Sequence, residues 1–156
     1  MTLTHIDDSG AAHMVDVGDK DVTKRRAVAT ALITTRSEVI DMIAEAGLPK
    51  GDALPVARIA AVMGAKRTSE LIPLCHPLPL TGIDVDFELL DDAVRINGAV
   101  KTVSKTGVEM EALTAVSIAA LTIFDMIKAV DHQAIIGDIK VIEKSGGRSG
   151  DWSRDT

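Results

Sequence analysis

Residues 82–100 read GIDVDFELLDDAVRINGAV, and their alternation decides the fold. Ile83, Val85, Phe87 and Leu89 alternate with Asp84, Asp86 and Glu88, the period of two that a β-strand with one apolar and one wetted face requires. Asp91-Asp92 interrupts the alternation with turn-forming residues, and Val94, Ile96 and Val100 resume it. The stretch therefore predicts an antiparallel hairpin.

Working outward, the period changes from 2 to 3.6. Downstream, residues 107–131 predict a long helix whose inner stripe is Leu113, Val116, Ala120, Ile123, Phe124 and Ile127. A last strand over 134–143 and a glycine- and serine-rich flexible tail over 145–156 follow. Upstream, the β-branched and alanine-rich stretch 22–34 predicts a first strand. Thr35 and Glu38 have the spacing of a capping box for a helix carrying Val39, Ile40, Met42, Ile43 and Ala46, which Gly47 and Pro49 stop. Asp52 is placed to cap a second helix with Val56, Ile59, Ala60 and Met63 as its buried side and Gly64 at its end. Residues 1–21 are polar and aperiodic and read as an irregular arm.

The order β-α-β-β-α-β is the ferredoxin-like pattern, an α+β fold in which helices cover one face of an antiparallel sheet. The other face, if apolar and bare, would aggregate, so a second subunit is expected to cover it and the chain to form a homo-oligomer. The 156 residues, 46% of them apolar, suit a single domain spanning 1–156.

Composition excludes several function classes. One cysteine, Cys75, allows no intrachain disulfide, and MTLTHIDDSG lacks the basic and apolar regions of a secretory leader, so a cytoplasmic setting is expected. The apolar run at 113–130 is interrupted by Thr114, Ser117, Thr122, Asp125 and Lys128, which argues against a membrane span. A net charge of −6 and an aromatic content of 2% with no tyrosine argue against a nucleic-acid partner.

Several residues could carry chemistry, each with an ordinary reading beside it. Asp125 and Lys128 share one side of the long helix. They are either a solvated ion pair or, in the apolar setting TIFDMIKAV, a partly desolvated pair able to move protons. Glu109, Met110 and Glu111 start the same helix, where carboxylates also favour the positive dipole end. Fourteen residues separate Glu111 from Asp125, roughly 21 Å along a straight helix. One small pocket cannot easily hold both, so either the site is long or two chains share it. Leu74, Cys75 and His76 sit between Pro73 and Pro77, a stiff loop that would hold an imidazole in place, either on a ligand or merely as a connector. No second ligand pair accompanies Cys75 and His76, so no metal site is expected. Lys50, in the turn before the second helix, and Lys66-Arg67, after Gly64, could each meet phosphate or be surface charge. Ser145-Gly146-Gly147-Arg148 could form an anion nest or be a mobile tail.

The strings KRTSELIPLCHPL (66–78) and KTGVEMEALTAVSIAALTIFDMIK (105–128), with LTHID, HMVDV, Lys50-Gly51-Asp52 and KSGGRSG in the same order, closely resemble the cyclic pyranopterin monophosphate synthase family of molybdenum-cofactor biosynthesis. The resemblance covers nearly the whole chain. It implies a lyase that converts a cyclic dihydroguanosine triphosphate, a small nucleotide-derived substrate, into cyclic pyranopterin monophosphate with release of pyrophosphate and no cofactor. By matching positions, it implies Asp125, Lys128 and Lys50 as catalytic residues and Leu74, Cys75, His76, Met110 and Glu111 as substrate contacts. It also implies a hexamer built as a trimer of dimers, with the site at the dimer interface. Expelling pyrophosphate needs cations against the developing charge, and Lys66, Arg67 and Lys144 are the candidates. The competing expectation is a non-catalytic ligand-binding oligomer of the same fold.

Overall fold

In a computed structural model, residues 5–155 are described. The hairpin forms as the alternation requires: β2 (Leu80–Leu89) pairs antiparallel with β3 (Ala93–Ser104), with Val85 facing Gly98 and Phe87 facing Ile96. β1 (Thr23–Thr34) lies on the other side of β3, and β4 (Ile135–Ser145) lies on the far side of β1. All these pairings are antiparallel and the sheet order is β2-β3-β1-β4, the ferredoxin-like arrangement. A two-residue β5 (Trp152–Ser153) pairs with Lys144 and Glu143 at the β4 edge. Part of the segment expected to be a flexible tail thus folds back on the sheet, with Trp152 under the Arg154 guanidinium.

The helices are α1 (Ser37–Ala44), α2 (Ala53–Lys66), the single turn α3 (Thr68–Leu71) and α4 (Glu109–Ile127). α4 lies across the sheet, against β1, β3 and β4, and carries α2 on its other flank. By length and composition α4 could pass for a membrane span, yet Ala112, Ala115, Val116, Ala119, Ala120, Ile123 and Ile127 are all fully buried. Its low polarity reflects a helix covered by a sheet on one side and another helix on the next.

Three local expectations are corrected. Thr35 does not cap α1, whose N-cap position is Arg36, with no side-chain hydrogen bond capping the helix. The Thr35 hydroxyl donates instead to buried Asp131 Oδ2 at 2.7 Å, beyond the end of α4. Asp52 likewise flanks α2 without a side-chain cap. The buried side of α2 is not Val56, Ile59 and Met63, which are 47%, 64% and 52% exposed. It is Ala53, Ala57, Ala61, Gly64 and Ala65. Small residues at a spacing of four let the α2 backbone sit close to α4: a Cβ at Gly64 would come within 2.7 Å of Ile118 Cγ1. Gly64 thus lies inside the helix as a contact point, and the bulky apolar residues are left facing outward.

The helix-free sheet face is mixed in character. Residues alternating with buried Ala27, Ala29, Ala31 and Ile33 point to that face, and beside the apolar Val28, Leu32, Val103 and Ile135 it carries ion pairs: Arg26 with Glu143, Arg95 with Glu88 at 2.6 Å, and Lys101 with Asp84 at 3.4 Å. Charged side chains across neighbouring strands keep such a face compatible with water. The helical layer has exposed apolar residues as well, Val56, Ile59, Met63 and Leu121 on α2 and α4.

Candidate active site

The candidate residues gather in two places at opposite ends of α4. At its C-terminal end, Asp125 stands between two ammonium groups, with Lys50 Nζ 2.6 Å from Oδ2 and Lys128 Nζ 2.6 Å from Oδ1. Lys128 follows from spacing, since residues three apart share a helix face. Lys50 is delivered from elsewhere in the chain. Buried Leu48 starts a tight turn that Gly51 closes by donating to the Leu48 carbonyl at 2.9 Å, and Lys50 projects from that turn. The hydrogen bonds from Lys128 and Lys50 hold the Asp125 carboxyl at a pKa of about 2, so it is ionised throughout the physiological range.

The apolar setting predicts a partly buried pair; within one chain it is open instead. Side-chain exposure is 54% for Asp125, 51% for Lys128 and 42% for Lys50. Leu121, Asp125 and Lys128 recur at helical spacing along the exposed strip of α4, where neither α2 nor the sheet reaches.

At the N-terminal end of α4, Leu74, Cys75, His76, Met110 and Glu111 line one cavity of about 390 Å³, with Val15 and Lys20 of the arm closing its rim. The loop is fixed at both ends: Cys75 N–H donates to the Ile72 carbonyl at 3.1 Å, and the Pro79 carbonyl accepts from Thr102 Oγ1 at 2.6 Å. His76 Nε2 lies 2.8 Å from the Val15 carbonyl. A carbonyl only accepts, so Nε2 carries the hydrogen and Nδ1 of a neutral ring is left as the acceptor. Glu111 is 4% exposed. Burial, with Glu109 nearby, raises its pKa to about 7, a value suited to exchanging a proton near neutral pH. Burial pushes the Cys75 thiol up, and the charge of Glu111 adds to it, so Cys75 is not an activated nucleophile.

The remaining expectations fare differently. Lys144 reaches Glu109 at the cavity edge, 3.1 Å away, where its charge is neutralised. Lys66 and Arg67, exposed at the end of α2, line neither this cavity nor the basic one beside it. Among the described residues no group of three or more His, Cys, Asp or Glu side chains could hold a metal ion. Arg148, in the turn read as a possible anion nest, lines a second cavity with Lys20, Arg25 and Lys105, which the sequence did not single out; this cavity shares Lys20, Thr106 and Gly107 with the first. The run Lys24-Arg25-Arg26 beside alternating alanines was the available signal, since one of three consecutive cations had to turn toward the helical side.

The two clusters are fourteen residues apart on one helix, roughly 21 Å, and Lys50, Asp125 and Lys128 do not line the cavity that holds Glu111. The MoaC family model matches residues 14–147. The chain is 62% identical over 151 residues to the cyclic pyranopterin monophosphate synthase of Corynebacterium efficiens, covering 97% of each. It is 60% identical over 152 residues to the enzyme of that name from Streptomyces avermitilis, covering 97% of this chain and 89% of that one. Cyclic pyranopterin monophosphate synthase 2 of Mycobacterium tuberculosis is 58% identical over 152 residues, with 97% and 91% covered.

Proposed function

This chain belongs to the MoaC family, and from that premise we propose that it is a lyase of molybdenum-cofactor biosynthesis, converting the cyclic dihydroguanosine triphosphate intermediate into cyclic pyranopterin monophosphate and pyrophosphate in the cytoplasm. The observation that carries the reading is the two-cluster arrangement on α4, in a chain 62% identical over nearly its whole length to a synthase of that name.

The chemistry suits the clusters. Rebuilding the ring system needs several proton transfers, and closing the cyclic phosphate needs an oxygen of the substrate to attack the α-phosphorus as the bond to pyrophosphate breaks. Lys50 and Lys128 are ammonium donors held by one ionised carboxylate, and Glu111, near neutrality in its pKa, is an acid and base at physiological pH. His76 and the backbone around Cys75 position the substrate in the cavity beside it.

The half-sites become one site when the α4 C-terminal end of one chain meets the α4 N-terminal cavity of another. The exposed strip of Leu121, Asp125 and Lys128 supports this, as do the outward apolar residues of α2, because burying them against a second copy would also desolvate the catalytic pair. The assembly is a dimer repeated into a hexamer. The direct experiment incubates the purified protein with the triphosphate intermediate in the presence of a chelator and measures pterin and pyrophosphate together. Equimolar appearance of both is expected; intact substrate after prolonged incubation overturns the reading.

A further inference from the structure

Asp131 is a buried carboxylate that neither cluster uses. It is 7% exposed and lies three residues after Lys128, where α4 has ended and the chain turns toward β4. An anion there meets the negative pole of the helix dipole, and burial strips away the water that would solvate it. The position is unfavourable unless the carboxylate is fully partnered.

Both of its oxygens are used. Thr35 Oγ1, buried between β1 and α1, donates to Oδ2 at 2.7 Å, and the Gln133 N–H donates to Oδ1 at 3.0 Å. These hydrogen bonds, that of Thr35 foremost, hold the carboxyl below its ordinary range, so the Thr35 bond is made to a charge and is correspondingly strong. Arg36 reinforces the same junction: its Nη2 donates to the Val130 carbonyl at 2.6 Å and its Nε stands 3.9 Å from Asp131 Oδ2.

The junction takes the place of a helix cap. Residues 128–135 read KAVDHQAI, without the glycine that commonly ends a helix. The last helical bonds run from Lys128 N–H to the Phe124 carbonyl and from Asp131 N–H to the Ile127 carbonyl, each at 2.9 Å. The Asp131 side chain then turns the chain by holding Gln133 N–H, and ties this otherwise fraying end to Thr35. Lys128 stands on that end, and Lys50 projects from the turn after α1, the helix that starts beside Thr35. The ion pairs of both lysines with Asp125 are about half exposed, and pairs so open to water are too weak to fix two helices against each other. The buried bond is able to.

We propose that Thr35 and Asp131 are positioning residues for the reaction: their buried hydrogen bond locks the end of α4 to the start of α1, so that Lys128, Asp125 and Lys50 keep the geometry that proton transfer requires. This rests on the function proposed above. A displacement near 1 Å at reacting groups can cost about 100-fold in rate.

Thr35→Val removes the hydroxyl and keeps the shape, and Thr35→Ser restores the hydroxyl. Thr30→Val is the control, because Thr30 Oγ1 makes an equally buried bond, 2.9 Å to the Ile96 carbonyl, that joins β1 to β3 only. With the triphosphate intermediate, Thr35→Val should lower kcat about 10-fold with KM little changed, and Thr35→Ser should rescue it. Thr30→Val should lower the denaturation midpoint and leave kcat as in the wild type. In an Asp125→Asn background, Thr35→Val should lower kcat by less than about 2-fold, since the cluster it positions is already broken. Should Thr35→Val not fold, Asp131→Asn, which keeps the size and loses the charge, carries the same expectations. Wild-type kcat in the folded variant, an equal fall in Thr30→Val, or an undiminished effect in the Asp125→Asn background would overturn the lock. A crystal structure of the variant needs no substrate: at least one ammonium should stand beyond about 4 Å from Asp125, and an unchanged cluster would overturn the lock. A wild-type protein that forms no pterin would overturn the function, and the variant's crystal structure would still decide the lock.

Discussion

Lys50 and Asp125, 75 positions apart in the chain, meet at 2.6 Å, and Lys128 takes the other oxygen of the same carboxylate at the same distance. A single charge therefore positions two ammonium groups. Asp125→Asn keeps the shape and removes that charge, so turnover of the triphosphate intermediate should fall by roughly 100-fold or more while the fold is retained. Because the Asp125 pKa is about 2, its charge is present above the ordinary carboxylate range and is lost only as pH falls toward 2. An acid limb of kcat/KM near neutrality must then come from another group, and it should stay in place in the residual activity of Asp125→Asn. Disappearance of that limb in the variant would assign it to Asp125 after all.

Glu111 titrates the other way. Its carboxyl is raised from an ordinary 4.5 to about 7, so the folded protein keeps a proton that the unfolded chain has released. The stability from this group is present in full below about pH 4.5 and is lost as pH rises toward 7. The loss is at most about 3 kcal/mol. Urea midpoints between pH 5 and 8 should decline for the wild type, and Glu111→Gln, neutral at every pH, should flatten that decline. An equally steep decline in the variant would place the titration elsewhere.

The sheet was legible because β2 and β3 each bury one face. Val85, Val94, Ile96 and Val100 are buried while Asp84, Glu88 and Arg95 are exposed, and only a strand satisfies that period. On α2 the most hydrophobic residues identify the wrong side. Ala53, Ala57 and Ala61 permit a close approach to α4 that Val56, Ile59 and Met63 would prevent, so size outranks hydrophobicity there. Of the expected contacts, Leu74, Cys75, His76, Met110 and Glu111 do converge, since each set is contiguous in sequence. Of the basic groove only the Ser145-Gly146-Gly147-Arg148 turn was legible, as a possible anion nest, because its four cations come from the arm, β1, the loop after β3 and the turn after β4. No spacing rule joins four such segments; the sheet register does.

Close packing at Gly64 makes a sharp stability test. A methyl group there would stand 2.7 Å from Ile118 Cγ1 and 3.0 Å from its Cβ, and the Cβ, bonded directly to the α4 backbone, cannot swing aside. Gly64→Ala should therefore destabilise by about 1–3 kcal/mol despite alanine's better helix propensity. Adding Ile118→Ala should restore part of that loss by vacating the space. If Gly64→Ala alone raises the denaturation midpoint, the two helices are not in contact at this point.

The sharing of the site between chains is the prediction on which the mechanism depends most. Glu111 and Lys128 lie at opposite ends of α4; if they serve one site from two chains, as proposed, each single variant spoils every site in a homogeneous assembly. Lys128→Ala and Glu111→Ala should each lower turnover by roughly 100-fold or more. When the two are unfolded together and refolded as a mixture, some interfaces pair the intact Lys128 of one chain with the intact Glu111 of its neighbour. Random pairing in a dimer leaves about a quarter of the sites of the mixture wild type in both residues. Activity should recover toward that fraction, with light scattering showing a sixfold multiple of the 16.5 kDa chain. If both residues acted within one chain, no mixture of the two could rebuild a complete site, and activity would remain at the level of the single variants. A monomer in solution with full turnover would likewise remove the shared site, since the roughly 21 Å between the clusters would then be no obstacle within one chain.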